Sequence, residues 1–298
     1  MNLSQEFYRN YQANFFRYQQ IINQEALDKV DYWTDKFNAE GYTTDKDQVS
    51  QIIRSHIRVT YLHCIDTLFE LVCGLFPRND RIQDEELPFI ISKNNDAFNK
   101  PIIQGIAEKN ALTLKEIYHP IHFGKHSIPL VQYIIYYQIS IESLIDKSLY
   151  SRIEESIEPI IDLLSIFACD IADKSEYNSL KHALRAFPFN GFFKIVDPGT
   201  NKPIAGMDFK NAQKYLYKSE NEYRIVTKNF NTQRDYAYTM VASNMIWNII
   251  KAREIYLSSI NKPGIGSLFV YFFSTDDYCD LEKSIDHKQK LEIKVKTN

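Results

Sequence analysis

The sequence predicts a mainly α-helical protein, with a helical bundle followed by a smaller α+β part that contains short antiparallel strands. Glycine and proline are scarce, at 9 and 10 of 298 residues, which favours long helices over a turn-rich β architecture. Through most of residues 1–187, apolar side chains recur at three- and four-residue steps. After Pro188 the pattern changes to short apolar runs separated by turn residues. We therefore expect a helical bundle over 1–187 and an α+β part over 188–298, which either pack as one compact unit or form separate domains.

Two long helices are predicted at the start of the chain. The first covers residues 4–39 and carries apolar or aromatic residues at helical spacing. Gly41 is a stop signal, and Thr44 or Asp45 is a start signal for the next helix. That second helix covers about 46–76 and ends before Pro77.

The middle of the chain is predicted to hold irregular structure or short helices over 97–128, and then two further helices. One begins after Pro129, and the other covers about 152–173. Pro159 falls inside the latter, so that helix either kinks or starts late.

The last third of the chain alternates predicted strands with one helix. The segments "GFFKIVDPGTNKPIAG" and "KYLYKSENEYRIVTKNF" predict two strand pairs, which turn at Pro198-Gly199 and at Glu220-Asn221. A helix follows over about 233–259. The runs "SLFVYFF" and "KLEIKVKT" are predicted as closing strands, the latter an edge strand protected by its lysines.

Composition and charge restrict the class of protein. The formal net charge of −3 argues against a general nucleic-acid coat and leaves room for a local basic patch. Cys64, Cys73, Cys169 and Cys279 show no CxxC spacing, so four buried thiols in a reducing compartment are expected. We find no signal peptide and no apolar run of membrane-spanning length. The sequence therefore predicts a soluble cytoplasmic protein with no membrane contact.

A polar stripe runs along the second predicted helix. Five of its residues project within about 60° of His63 at 100° per residue; they are His56, Thr60, Asp66, Thr67 and Glu70. The stripe faces either solvent or a polar cleft. In a cleft, His63 and Glu70 could share a proton or orient each other.

A second polar face lies in the stretch "SEYNSLKHALR". Ser175, Asn178, His182 and Arg185 fall within about 60° of one another on a helix, opposite Tyr177 and two leucines. Such a set suits phosphate handling, because arginine binds the oxyanion, histidine moves a proton, and asparagine orients the nucleophile. The alternative is a solvated face on which Lys181, His182 and Arg185 complement the C-terminal helix dipole.

Neither a metal nor a cofactor is predicted. His119, His122 and His126 have spacings that zinc could use, but Pro120 and Gly124 argue against a regular helix, and a solvent-exposed loop is the expectation. The sequence contains no P-loop, dinucleotide fingerprint, GxSxG or HExxH motif.

Two motifs carry a family resemblance. "YNSLKHALR" followed by "GFFKIV" resembles a signature of bacterial helical proteins. "RVTYLH", with Arg58 and His63 separated by four residues, resembles the motif of the HEPN superfamily of helical RNases and Abi-type phage-defence proteins, in which four to six residues separate an arginine from a histidine. Val59 departs from the Asn or Asp that often follows the arginine there. On one unbroken helix Arg58 and His63 project about 140° apart, so they would converge only across a dimer or a helix break.

The resemblance implies metal-independent RNA cleavage by the 2′-OH of the RNA itself. His182 or His63 would act as the base, and Arg185 or Arg58 would stabilise the charge on phosphate, with Asn178 and Lys181 in the same segment. A homodimer is also implied. The first hypothesis is therefore an RNase or toxin-like effector in bacterial defence, and RNA is its expected partner.

The second hypothesis is a non-catalytic binding module that recognises a protein or a small-molecule ligand. A catalytic cleft predicts that His63 and His182 converge. A binding module predicts scattered polar faces together with an exposed apolar or aromatic patch.

Overall fold

The structure is a computed structural model, and it bears out a mainly α-helical chain with an α+β part. The residues it describes are 3–78, 81–82, 84–93, 95–123, 125–137, 146–172, 174–181, 186–189, 191–209, 211–219, 222–259, 269–284 and 288–296.

The described helices are α1 Leu3–Asn10, α2 Phe15–Asp28, α3 Val30–Ala39, α4 Lys46–Gly74, α5 Leu87–Ile91, α6 Asp96–Ala107, α7 Ala111–Ile117, α8 Leu130–Tyr136, α9 Lys147–Ile171, α10 Ser175–Lys181 and α11 Thr232–Ser259. The described strands are β1 Pro120–Phe123, β2 His126–Pro129, β3 Ala186–Phe189, β4 Phe192–Val196, β5 Pro203–Asp208, β6 Ala212–Ser219, β7 Glu222–Asn229 and β8 Lys290–Lys296. β1–β2 and β4–β5 are two-stranded antiparallel sheets, and the third sheet has the order β3-β6-β7-β8.

The prediction of one helix over 4–39 is wrong, because that segment forms α1, α2 and α3. Tyr8, Ala13 and Phe16 are all buried. On a straight helix Tyr8 and Ala13 would project about 140° apart, so the break between α1 and α2 lets both face the core. Lys29 separates α2 from α3 with φ −108° and ψ 30°, outside helical values.

The start and stop signals around α4 work as predicted. Gly41 adopts a φ of +93°, a left-handed conformation that glycine accepts without strain. The carboxylate of Asp45 then accepts a hydrogen bond of 2.8 Å from the backbone N–H of Gln48 and caps the new helix.

The last two long helices agree with the apolar spacing, with one earlier start, whereas the helix predicted after Pro129 ends at Tyr136, and residues 138–145 lie outside the described residues. α9 begins at Lys147 because the Asp146 carboxylate accepts hydrogen bonds from the N–H groups of Ser148 and Leu149. Pro159 lies inside this helix. α11 covers 232–259, one residue longer than predicted.

The chain forms two compact units, each built from three segments. Unit 1 contains Met1–Phe16, Cys64–Ala172 and Met240–Cys279. Unit 2 contains Arg17–His63, Asp173–Thr239 and Asp280–Asn298, so the predicted boundary at residue 187 falls inside unit 2.

The run 267–273 is not the predicted strand over the residues that the structure describes. From Phe269 to Phe273 the backbone is held by side chains of α9 and α11 instead of a neighbouring strand. The Asn248 amide donates to the Tyr271 carbonyl oxygen at 2.8 Å and accepts from the Tyr271 N–H at 3.0 Å. Trp247 Nε1 donates to the Phe269 carbonyl oxygen at 3.0 Å, and Ser156 Oγ accepts from the Phe273 N–H at 3.1 Å. These bonds replace a β ladder.

The two faces of the four-stranded sheet of unit 2 are buried to different degrees. Residues directly opposite each other in an antiparallel pair share a face, and the pairs Pro188–Gln213 and Tyr215–Val226 point inward. Gln213, Tyr215 and Val226 are buried. We call the opposite side the outer face. Five of its large side chains are exposed, namely Phe187, Leu216, Tyr223, Ile293 and Val295, whereas Ile225 and Leu291 are half-buried and Thr227 is buried.

The β4–β5 hairpin exposes apolar residues on both of its faces. Phe192 and Val196 lie on one face, and Phe193 and Ile195 on the other, because successive strand residues alternate. All four are exposed, and Ile204 on β5 is 66% exposed. We call this hairpin the apolar arm.

The expectation of four buried thiols is wrong for two of them. Cys64 and Cys73 are buried, whereas Cys169 and Cys279 are exposed. Burial raises the pKa of the Cys64 thiol to about 12, although a hydrogen bond with Ser243 opposes the shift. Among the helices of the described residues, none has the length and apolar character to cross a membrane.

Candidate functional site

The two sequence-predicted stretches of unit 2 come together where α10 packs beside α4. Arg58 of α4 is only 1% exposed. Its Nε donates to Glu176 Oε1 at 2.9 Å, and its Nη2 donates to Glu176 Oε2 at 3.1 Å. Its Nη1 donates to Asp235 Oδ1 of α11 at 3.0 Å. A two-pronged contact of this kind fixes both position and orientation, so Arg58 holds the first turn of α10 against α4.

Glu176 is the centre of this arrangement. Its Oε2 also accepts from Lys228 Nζ of β7 at 2.8 Å. Burial raises the pKa of the Glu176 carboxyl, but the nearby charges of Arg58 and Lys228 outweigh burial and hold the pKa well below its usual range. Glu176 is therefore a carboxylate that joins one strand to two helices.

A second arginine extends the network along α11. Arg234 is buried, and its guanidinium lies 2.9 Å from Glu282 and 3.6 Å from Asp235. The Tyr238 hydroxyl donates to Glu282 at 2.9 Å. We call Arg58, Glu176, Lys228, Asp235, Arg234 and Glu282 the unit 2 charge cluster.

None of the three carboxylates of this cluster was predicted from the sequence. The position of Arg58 does indicate that this arginine needs a negatively charged partner. Arg58 occupies the apolar stripe of α4, on which Leu62, Ile65 and Phe69 follow at helical spacing. A charge on such a stripe must be paired when it is buried. Its partners lie 118 and 177 residues further along the chain and only the fold brings them near.

The predicted polar stripe of α4 does not form a single surface. His56 and His63 are exposed, but Thr60 is buried and accepts a hydrogen bond from the Asn23 amide at 3.1 Å. In unit 1, Glu70 accepts a hydrogen bond from the Asn99 amide at 3.0 Å.

Two exposed polar side chains, those of His63 and Lys181, lie near the ring of Tyr177, and the exposed Asn178 follows Tyr177 in the chain. The His63 ring lies 6.3 Å from the Tyr177 ring, between centroids, and Lys181 Nζ lies 6.0 Å from the same ring. His63, Asn178 and Lys181 are exposed, whereas Tyr177 is buried. We call these four residues the Tyr177 site. Chemically it offers an imidazole for proton transfer, an ammonium for an anion, and an amide for orientation.

His182 and Arg185, two of the predicted catalytic residues, lie outside the described residues. Their catalytic roles remain predictions. The described part of α10 ends at Lys181, the residue before His182.

The histidine-rich segment forms a hairpin instead of a loop. β1 pairs with β2, so that His122 stands opposite Ser127, and Phe123 opposite His126. His119, His122 and His126 are exposed. In the described part of the chain, no group of three or more His, Cys, Asp or Glu residues is arranged to hold a metal ion.

Comparison with known proteins adds no relative. No protein-family model, no curated protein and no solved structure matches this chain significantly.

Proposed function

We propose that this chain is a HEPN-like, metal-independent endoribonuclease that acts as a toxin-like effector in bacterial defence. A HEPN-type helical bundle and dimer are part of this proposal. The observation that supports it is the Tyr177 site, where an exposed imidazole and an exposed ammonium lie on the same tyrosine ring. Both come from the stretches that carry the family resemblance.

In the proposed reaction the RNA supplies its own nucleophile. His63 accepts the proton of a 2′-OH, the 2′ oxygen attacks the adjacent phosphorus, and the bond to the 5′ oxygen breaks. The products are a 2′,3′-cyclic phosphate and a 5′-OH end that has taken up a proton. Lys181 stabilises the negative charge that develops on the phosphate. His182 is proposed to complete the site by giving the leaving 5′ oxygen its proton, and Arg185 by binding the phosphate.

Arg58 has a different role in this proposal from the one that the motif implies. Its guanidinium is buried against Glu176 and Asp235. It is therefore proposed as a positioning residue that sets α10, and with it Lys181 and Asn178, relative to His63.

The test is cleavage of total RNA and of tRNA in EDTA. We expect cleavage by the wild-type protein and its loss in His63→Ala and in His182→Ala, with a smaller loss in Lys181→Ala. His56→Ala is the matched control, since His56 is an exposed histidine on the same helix. Circular dichroism checks that each variant is folded.

Background-level cleavage by the wild-type protein and all variants would contradict the nuclease proposal. Activity that disappears equally in His56→Ala and His63→Ala would contradict the assignment of His63 as the base. A catalytic role of His63 alone cannot explain the loss in His56→Ala.

The apolar arm favours a second candidate function, a non-catalytic interaction module. Two-stranded hairpins are marginally stable in water, and contiguous exposed apolar residues mark interaction sites. A photo-crosslinking residue in place of Phe193 is expected to give one discrete crosslinked product in cells. Leu112 on α7, which is 76% exposed, provides the control position. Equal crosslinking from both positions would contradict this candidate.

A further inference from the structure

The outer face of the four-stranded sheet carries a repeated pairing of an aromatic residue with a lysine. Phe187 on β3 stands directly opposite Lys214 on β6. Tyr223 on β7 stands directly opposite Lys218 on the same strand β6. Opposite residues of an antiparallel pair lie about 5 Å apart on one face. Lys214 and Lys218 are four residues apart on one strand, so the two pairs are about 13 Å apart.

Both aromatic side chains are accessible. Phe187 is 52% and Tyr223 is 37% exposed. Lys214 Nζ lies 4.0 Å from the centre of the Phe189 ring, so this lysine is held among aromatic rings on the outer face. Between the two pairs lie Leu216 and, across β7, Ile293 of β8, both exposed. The outer face thus has exposed apolar side chains between two aromatic–lysine pairs, Phe187–Lys214 and Tyr223–Lys218.

The charge on this face has one sign. None of the strand positions that the structure describes on the outer face of β3, β6, β7 and β8 is acidic, because Glu222 and Glu292 point to the opposite side. The described strand positions of the outer face carry two basic residues, Lys214 and Lys218, whereas Arg224, Lys228, Lys290 and Lys294 lie on the opposite face. The outer face is therefore positive while the whole chain has a formal net charge of −3, which favours an anionic occupant of this face.

We propose that the outer face binds single-stranded RNA. Phe187 and Tyr223 stack on bases, and Lys214 and Lys218 contact phosphates. Leu216 and Ile293 lie against the nucleotides between them. Single-stranded nucleic acids bind in this way, because every base has a ring face and the backbone carries one charge per nucleotide. The inference rests on the proposed nuclease function, for which it names the form of the substrate and the surface that holds it.

The test measures binding separately from cleavage. The probe is a fluorescent 2′-O-methyl oligouridine of about 12 nucleotides, which lacks the 2′-OH nucleophile and cannot be cleaved. We expect fluorescence anisotropy to show binding by the wild-type protein, weakened about tenfold in Phe187→Ala and in Tyr223→Ala. Lys214→Ala and Lys218→Ala should each reduce the slope of log affinity against log salt by about 0.7.

Two controls match these variants. Phe89 on α5 is 51% exposed, as Phe187 is, and lies in unit 1. Lys294 is an exposed lysine of the same sheet on the opposite face. Phe89→Ala and Lys294→Ala are expected to bind the probe as the wild type does.

Three results would overturn the inference. One is equal weakening by Lys294→Ala and Lys218→Ala, which would show unspecific charge attraction. Another is equal binding of a duplex of the same length, which would show that bases are not stacked. The third is absence of binding, together with self-association that Leu216→Asp abolishes, which would make the face a protein interface. Binding of the probe without cleavage of unmodified RNA would overturn only the nuclease proposal.

Discussion

Two buried arginines, one in each unit, are neutralised in different ways. In unit 2, Arg58 is held by two full carboxylates, Glu176 and Asp235. In unit 1, Arg253 of α11 has one carboxylate partner, Asp84, whose Oδ1 lies 2.7 Å from Arg253 Nε. Its remaining donors reach backbone carbonyl oxygens, at 2.9 Å for Ile134, 3.1 Å for Ile249 and 3.4 Å for Tyr133.

The two arginines differ in the kind of hydrogen-bond acceptor that stabilises their buried charge. Carbonyl oxygens cannot be protonated or lost by a side-chain substitution, so Arg253 keeps most of its hydrogen bonds under conditions that disturb its carboxylate. Arg58 depends on ionised side chains from separate parts of the chain. The cluster in unit 2 is therefore the one that a single substitution or a change of pH should disturb most.

The largest effect is expected from Glu176→Gln. This change leaves Arg58 and Lys228 facing an amide in place of a carboxylate, and removing one partner of a buried ion pair costs about 3–5 kcal/mol. Urea unfolding followed by circular dichroism gives the loss of stability. Glu25→Gln on α2, which removes an exposed pair with Lys29, should leave the midpoint unchanged. A similar midpoint for Glu176→Gln and wild type would mean that Asp235 alone neutralises Arg58.

Acid should act on the same residue. The pKa of Glu176 is lower in the folded protein than its ordinary value of 4.5, so the unfolded chain binds the proton more readily. The stabilisation from Glu176 is therefore complete above pH 4.5 and is lost as the pH falls below it, by at most about 1.4 kcal/mol per pH unit.

Urea midpoints measured for wild type and Glu176→Gln below pH 4.5 isolate this contribution. The wild-type curve should fall more steeply, and the two should converge in acid. Parallel curves would show that Glu176 does not account for the acid sensitivity.

A smaller effect is expected from Asp84→Asn in unit 1. Arg253 keeps its three carbonyl partners, and Asp84 is partly solvated, with a side chain that is 17% exposed. The loss of one charged hydrogen bond costs about 1.5–3 kcal/mol. The comparison between the two arginines would break if Asp84→Asn lowered the urea midpoint as much as Glu176→Gln does.

Apolar spacing predicted the long helices because burial on one side imposes a period that the sequence displays. The bounds of α4 and α11 follow from it. It could not reveal the break at Lys29, which involves neither proline nor glycine. It also could not show that Phe269–Phe273 would be held by Asn248, because an apolar run has the same pattern whether a strand or a side chain satisfies its backbone.

The candidate site was predictable only in part. The sequence places Asn178 and Tyr177 on opposite sides of α10, and the structure has Asn178 exposed and Tyr177 buried. The contact between Glu176 and Arg58 was not predictable, since a glutamate in the first turn of a helix usually complements the helix dipole in solvent. The outer face of the sheet was missed because its register, and not its composition, brings each lysine beside an aromatic ring.

The hydrogen bonds between the Asn248 amide and the backbone of Tyr271 limit which substitutions the segment 269–273 can accept. Both hydrogen bonds of the Asn248 amide go to main-chain atoms of residue 271, so they can form with other residues at that position. These two hydrogen bonds therefore do not depend on which side chain stands at position 271, whereas they do require a side chain at position 248 that both donates and accepts. Proline is excluded at positions 271 and 273, because each supplies a backbone N–H to a side chain.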